Sequence, residues 1–404
     1  MENIMSKFLI VTKSYVSHVM REKGSDKASK ILMVEAGVLG DSIVAVDAIQ
    51  HLVNYYQEIS QKEVVIVCRD NMKSFFQKNI SGYNCSVVGL KMNGKWPTVK
   101  SFCEIIRECK NYKIEETYVW MHHAWGHMLA YSVASKKNHF VCYRDWYVGR
   151  RLCLKYIIRN YYSNIVSVAD DTFIPDAYKV LVKRAVGIDY RTKHPLIRMN
   201  DNNNLCCKDT NYVVLAPMAN VTDRHFSKEL ISDIVKYILE MSELKVYVSG
   251  LQKDYKYVQD AINHFNNERV INYCGKSNFD EFIALLANAR FLIGTDSGHI
   301  HLAAAMEIPT ICILGWWHVG QFLPYHYDDV NEYNPVCIYS EDVYECKNCQ
   351  AKYGKAGNGK KNHKCGERIK NKENNLCLYE FKPEQAYTTL EMYIHQYEEK
   401  VSNE

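Results

Sequence analysis

Short apolar runs alternate with longer amphipathic stretches along most of the chain. Residues 30–56 (KILMVEAGVLGDSIVAVDAIQHLVNYY) read as a buried strand, a glycine turn and a helix. EVVIVC at 63–68, SVVGL at 86–90 and TYVWM at 117–121 read as further buried strands, with helical stretches such as 98–110 between them. The stretch 190–210 breaks this rhythm. It is polar, asparagine-rich and without period, as an interdomain linker would be. A second series follows: YVVLAP at 212–217, KVYVSG at 245–250, RVINYC at 269–274, RFLIGT at 290–295 and TICILG at 310–315. Helical segments at 227–241, 254–264 and 279–289 separate these runs, and 384–399 closes the chain as an amphipathic helix. Strands alternating with helices predict an α/β fold with parallel sheets. The expected division is 1–200, 201–383 with a cysteine-rich insertion at 337–377, and a C-terminal helix at 384–404.

Composition refines this picture. A chain of 404 residues exceeds one ordinary core and suits two domains. A hydrophobic share of 47% and a charged share of 24% are those of a globular protein. The net charge of +4 is small, so any basic surface must be local; with no nucleic-acid motif present, no nucleic-acid partner is expected. No apolar run reaches membrane-spanning length, and the N-terminus lacks the basic start and cleavage site of a signal peptide. A cytoplasmic protein is expected. Of the 15 cysteines, most sit within strand-like and helix-like runs (Cys68, Cys142, Cys274, Cys312), as reduced core thiols do.

Three segments carry candidate chemistry. Gly37-Val38-Leu39-Gly40-Asp41 lies between a strand and a helix, where glycines admit a ligand to the backbone and a helix N-terminus favours anions. Asp41 reads either as a first-turn acid that caps the helix or as a carboxylate at an active-site edge. Gly294-Thr295-Asp296-Ser297-Gly298-His299-Ile300-His301 repeats the arrangement before the helix-forming LAAAM. There Ser297 suits an N-cap, Gly298 allows close approach, Asp296 could accept bonds from sugar hydroxyls, and His301 could donate to phosphate. The bland alternative is that Asp296 and Ser297 only cap the helix. Ala216–Phe226 follows the first strand of the second series and carries Arg224, a cation placed for a diphosphate or simply solvated.

The order and spacing of these three segments resemble glycosyltransferase family 9, the lipopolysaccharide heptosyltransferases. The resemblance spans about residues 30–390 and is clearest from 212 to 315. It implies a GT-B fold, with two Rossmann-like domains facing across a cleft, the N-terminal one on the acceptor side and the C-terminal one holding the donor. It implies transfer with inversion from a nucleotide diphosphate sugar, usually ADP-heptose, without a catalytic cofactor. By motif, Asp41 would be the general base and Arg224 the cation where the family usually has lysine. Asp296, Ser297, Gly298 and His301 match the donor-binding block. Asn220 falls where a hydroxyl residue often meets phosphate. Asp254 would bind ribose, and Ser277 lies near the adenine segment. Gly40 would lie on the acceptor side; His122, His123 and His127, which follow the strand at 117–121, could line that side as well, the alternative for each being a structural histidine. Ala216-Pro217 in place of His-Pro-Gly text, and GWWHVGQFLP at 315–324, depart from the family and leave the transferred sugar open. A GT-B-like sugar-nucleotide epimerase and a non-catalytic sugar-nucleotide-binding protein are the alternatives.

Two further features stand apart. Cys346-x2-Cys349-x15-Cys365-x11-Cys377 has the spacing of a structural zinc or iron site, with His363 as a substitute ligand; free thiols or disulfides are the alternative. The spacing resembles that of bacterial autotransporter heptosyltransferases, which carry an iron-binding finger. Residues 142–159 interleave cations and aromatics, which suits either an anionic glycan or membrane surface, or an amphipathic helix with a solvated basic face. The expected partners are a nucleotide-sugar donor and a glycan, lipopolysaccharide-core or protein acceptor, with peripheral contact at the inner membrane.

Overall fold

The computed structural model describes residues 9–14, 17, 29–94, 96–120, 123–133, 135–142, 161–167, 172–197, 211–220, 222–316, 319–340, 376–379 and 381–402. The chain divides into two units, Met1–Arg198 with Tyr327–Asp329, and Met199–His326 with Val330–Glu404.

The first unit carries β1 (Ser29–Glu35), α1 (Leu39–Glu58), β2 (Glu63–Arg69), α2 (Lys73–Asn79), β3 (Cys85–Leu90), α3 (Val99–Cys109), β4 (Lys113–Val119), α4 (Ala124–Val133), β5 (Lys137–Cys142), β6 (Asn164–Ser167) and α5 (Ile174–Val186). Its sheet has the order β3-β2-β1-β4-β5-β6, and every pairing is parallel. β1 is buried on both faces from Lys30 to Glu35, which only a sheet covered by helices on two sides permits. Leu32, Val34, Val65, Val67, Phe102, Trp125, Leu129 and Phe140 belong to one buried cluster of this unit. Residues 327–329 are tied into it. Asp328 Oδ2 accepts the Thr192 N–H at 2.8 Å and pairs with Lys179 at 3.0 Å.

The second unit repeats the plan with β7 (Tyr212–Ala216), α6 (Lys228–Met241), β8 (Lys245–Val248), α7 (Tyr255–Ile262), β9 (Val270–Asn272), α8 (Phe279–Ala287), β10 (Leu292–Thr295), α9 (Gly298–Ala305), β11 (Thr310–Ile313), β12 (Val336–Ile338) and α10 (Glu384–Ser402). Its sheet order, β9-β8-β7-β10-β11-β12, is again wholly parallel. Each unit therefore has the six-strand order of a Rossmann fold, in which ligands sit beyond the carboxyl ends of the strands where the order reverses. In both, that reversal falls at the central strand: β1 between β2 and β4, and β7 between β8 and β10. Helix α10 packs on α6, where Tyr237 and Tyr387 stack at 3.9 Å. No helix among the described residues is long and apolar enough to cross a membrane.

Most sequence-read strands appear, shifted by a few residues at their ends. The apolar pattern did not disclose β5, β6 or β12. The first two carry only short apolar runs, KNHFVC opening on three polar residues and NIVS holding two apolar ones, and the third has only three residues.

Candidate functional site

In the second unit, four neighbouring strands deliver the candidate donor residues to one sheet edge. The loop after β7 carries Asn220, which is exposed, and Arg224, which is half-buried. Asp254 follows β8 and is buried; its Oδ2 accepts the Leu251 N–H at 3.0 Å, closing a short turn. Ser277 follows β9 and stands next to Asn278, the N-cap of α8. Asp296 follows β10 and is buried.

Arg224 and Asp296 meet because β7 and β10 are paired, with Ala216 opposite Gly294. Arg224 Nη1 lies 3.6 Å from Asp296 Oδ2. The loop that holds Arg224 is pinned through main-chain groups. Thr295 Oγ1 donates to the Arg224 carbonyl at 2.7 Å, the Phe226 N–H to the Pro217 carbonyl at 2.9 Å, and His225 Nε2 lies 2.8 Å from the Ala219 carbonyl. Gly294 is required where the strands come together: a Cβ there would stand 2.6 Å from the Ala216 carbonyl oxygen and 2.8 Å from His299 Nε2.

Helix α9 begins beside this pair. Ser297 takes the N-cap position in extended backbone, yet its side chain makes no capping hydrogen bond. The turn Ser297-Gly298 thus presents the positive end of the helix next to Arg224. His301 lies one turn further in, buried, with Nδ1 2.6 Å from the Tyr325 hydroxyl. Burial pushes His301 and His299 down to about 4, against the opposing charge of Asp296, so both rings are neutral at pH 7. Tyr325 had no signal in the sequence, because only the folded chain brings it to His301.

In the first unit, Asp41 lies in the first turn of α1 and its Oδ2 accepts the Val38 N–H at 3.0 Å. The capping alternative therefore describes a bond that exists. Gly40 is buried in the same turn. Two residues the sequence reading did not select stand beside Asp41. Glu35 ends β1, is fully buried, and accepts the Gly37 N–H on Oε1 at 2.7 Å. Burial, reinforced by the charge of Asp41, pushes the Glu35 carboxyl up to about 8 against the Gly37 amide and Arg69. Arg69 ends β2 and donates Nε to the Ala36 carbonyl at 3.0 Å. A charged residue closing each of two apolar strand runs was the available clue.

Of the acceptor-side histidines, His123 is half-buried just before α4, its ring centroid 6.5 Å from that of Trp125. His122 lies outside the described residues. His127 corrects the expectation. It is fully buried on α4, with Nδ1 2.7 Å from the Tyr162 hydroxyl and its ring edge-on to Phe140. It faces the core because α4 packs its Trp125, Met128 and Leu129 face on the sheet, and the ring is oriented with that face.

Cys377 is buried in the helical turn Leu376–Tyr379, whereas Cys346, Cys349, Cys365 and His363 lie outside the described residues. The basic, aromatic segment lies almost wholly outside them as well.

The family model for glycosyltransferase family 9 (heptosyltransferase) matches residues 150–351. No curated protein matches the sequence. Among solved structures, the glycosyl transferase family 9 protein from Veillonella parvula has a TM-score of 0.67 at 13% identity, covering 93% of this chain and 99% of that one. ADP-heptose lps heptosyltransferase II of E. coli has a TM-score of 0.64 at 12% identity, with coverage of 91% and 99%. E. coli heptosyltransferase WaaC, solved with ADP-2-deoxy-2-fluoro heptose, has a TM-score of 0.52 at 16% identity, with coverage of 80% and 98%. At these identities the likeness is one of fold, the two-Rossmann GT-B class.

Proposed function

The chain belongs to glycosyltransferase family 9 and is a glycosyltransferase, and from that premise we propose that it transfers heptose, with inversion, from ADP-heptose to a hydroxyl of a glycan, lipopolysaccharide core or protein. The observation that carries this reading is the Arg224–Asp296 pair at the N-terminus of α9. Breaking a glycosyl diphosphate bond releases an anion, and a catalyst must stabilise that charge as it develops. Arg224 and the first amides of α9 supply fixed positive charge where β7 and β10 end. Asp296 orients the guanidinium and can accept bonds from the sugar. Asp254 and Ser277, on the same edge, suit the ribose and the base; Asn220, Gly298 and His301 complete the donor site.

Asp41 is the proposed general base. It takes the proton of the acceptor hydroxyl as that oxygen attacks the anomeric carbon opposite the leaving diphosphate. Attack from the opposite face inverts the configuration. Positive charge for the leaving group comes from the chain itself, so no cofactor is assigned to the chemical step. The proposed place of action is the cytoplasm, at the inner membrane where lipopolysaccharide-type acceptors lie.

The test incubates the protein with ADP-heptose and deacylated lipopolysaccharide core and follows products by mass spectrometry. Mass gain on the core supports transfer. Isomerised donor indicates an epimerase and overturns the reading; binding without change on the core, and again on glycan and protein acceptors offered in its place, indicates a binding protein and overturns it too. In parallel, D296A should bind ADP-heptose at least about tenfold more weakly by calorimetry, the cost of one charged hydrogen bond. Unchanged affinity would remove Asp296 from the donor site.

A further inference from the structure

The turn that presents Asp41 is built between two carboxyl groups. A Cβ placed on Gly37 would stand 2.4 Å from Glu35 Oε1, 2.5 Å from Asp41 Cβ and 3.0 Å from Asp41 Oδ2. The two consecutive amides of the turn are divided between the two acids: Gly37 N–H goes to Glu35 and Val38 N–H to Asp41. The acids differ in exposure. Asp41 is half-buried at a helix N-terminus, whereas Glu35 is sealed beneath the turn. Glu35 Oε2 is buried with no hydrogen-bond partner. A carboxylate oxygen in that position would lose its hydration with nothing to replace it, a large penalty for an ion in a protein interior. Protonation of Oε2 removes the cost and leaves Oε1 free to accept from Gly37.

We propose that Glu35 is a positioning residue for Asp41: as a neutral acid it anchors the Gly37 amide and shapes the turn, so that Asp41 alone carries the negative charge of the pair. This rests on the reading of Asp41 as the base. The groups around Glu35 fit it. From α1 comes Asp41, whose charge opposes a second anion; from β2 come Arg69 and the thiol of Cys68. Arg69 spends its Nε on the Ala36 carbonyl and acts on both acids as one positive charge, enough to balance a single carboxylate. Helix α4 approaches with Gly126, where a Cβ would lie in ordinary contact with Ala36 at 3.4 Å, and brings no charge to the turn from that position. A carboxylate pair that shares one proton assigns it to the more deeply buried member, and the exposed member keeps the charge that chemistry needs.

The experiment uses full-length protein carrying glutamate labelled with carbon-13 at the side-chain carboxyl, followed by NMR across pH. The E35Q variant identifies the Glu35 resonance by its loss. That resonance should titrate near about 8. In D41N, with the opposing charge gone, Glu35 should become about tenfold stronger as an acid. Turnover with ADP-heptose and deacylated core gives the second readout. E35A should lower kcat by about 100-fold, the scale of a misplaced catalytic group, while ADP affinity stays within about threefold of wild type. E35Q, which keeps an acceptor for Gly37, should regain at least about tenfold of that loss. A Glu35 that titrates in the ordinary carboxylate range overturns the proposal. So does one unmoved by D41N when D41N is itself inactive, and that result leaves the base reading intact. Wild-type turnover in D41N overturns the base reading and this proposal together.

Discussion

Replacing Arg224 with glutamine tests the charge on which the proposed donor site depends. The loop around it is held by bonds to its main-chain carbonyls from Thr295, His225 and Phe226, so the substitution removes a cation without releasing the loop. A unit charge about 4 Å from a phosphate oxygen is worth about 4 kcal/mol at the effective dielectric near a protein surface. Two features reduce it. The Arg224 side chain is 26% exposed, and Asp296, 8% exposed and 3.6 Å away, already neutralises part of its field. Retaining about half leaves roughly 2 kcal/mol, and the charge that develops on the leaving diphosphate adds about another 1 kcal/mol. At 1.36 kcal/mol per decade, R224Q should lower kcat/KM by roughly 30- to 150-fold. The buried Asp296 carboxylate loses the Arg224 contact in the same variant. The double variant R224Q/D296N should therefore be less damaged in stability than the sum of its parts, a coupling of about 1 kcal/mol. The assay is continuous detection of released ADP with ADP-heptose and deacylated core, beside calorimetry of ADP binding and denaturant unfolding. A loss in kcat/KM under about threefold, with ADP affinity unchanged, would refute the assignment of Arg224 to the diphosphate.

Three other outcomes follow from the same structure. Burial raises the Glu116 carboxyl, but hydrogen bonds from His139 and Tyr56, with the charges of His139 and Lys137, outweigh it and hold the group at about 2 against an ordinary 4.5. A depressed carboxyl contributes stability that is whole above the unfolded value and disappears as pH falls through the folded one. Wild-type stability should therefore drop between about pH 4.5 and 2, and E116Q should flatten that limb in acid denaturation followed by circular dichroism. H127A should destabilise the protein by about 2–4 kcal/mol, since it opens a core cavity and strands the Tyr162 hydroxyl, while ADP binding by calorimetry stays unchanged. Elemental analysis of untagged protein should find about one zinc or iron per chain, bound through Cys346, Cys349, Cys365 and Cys377; metal-free protein of unchanged melting temperature would dismiss the site.

By itself, the order of residues determined the α/β class and the place of nearly every central strand. A strand buried on both faces must be an unbroken apolar run, and EVVIVC, YVVLAP and TICILG can be little else. It also marked the two glycine turns, Gly37–Asp41 and Gly294–His301, because a strand ending in glycine before a helix is a local event. What it could not supply was adjacency. Hydrophobic pattern says that a strand is inside, but not which strand lies beside it. The pairing of β7 with β10 that brings Arg224 to Asp296 is a long-range contact with no local trace. The same holds for Tyr325 at His301, and for His127, whose burial depends on which face α4 turns to the sheet. Glu35 shows the limit most clearly. As text it is a polar residue closing a strand, indistinguishable from a solvated acid. Only the packed turn above it, with Asp41 and Arg69 alongside, makes it a buried carboxyl. Burial and neighbouring charge set a group's protonation, and both belong to the tertiary structure.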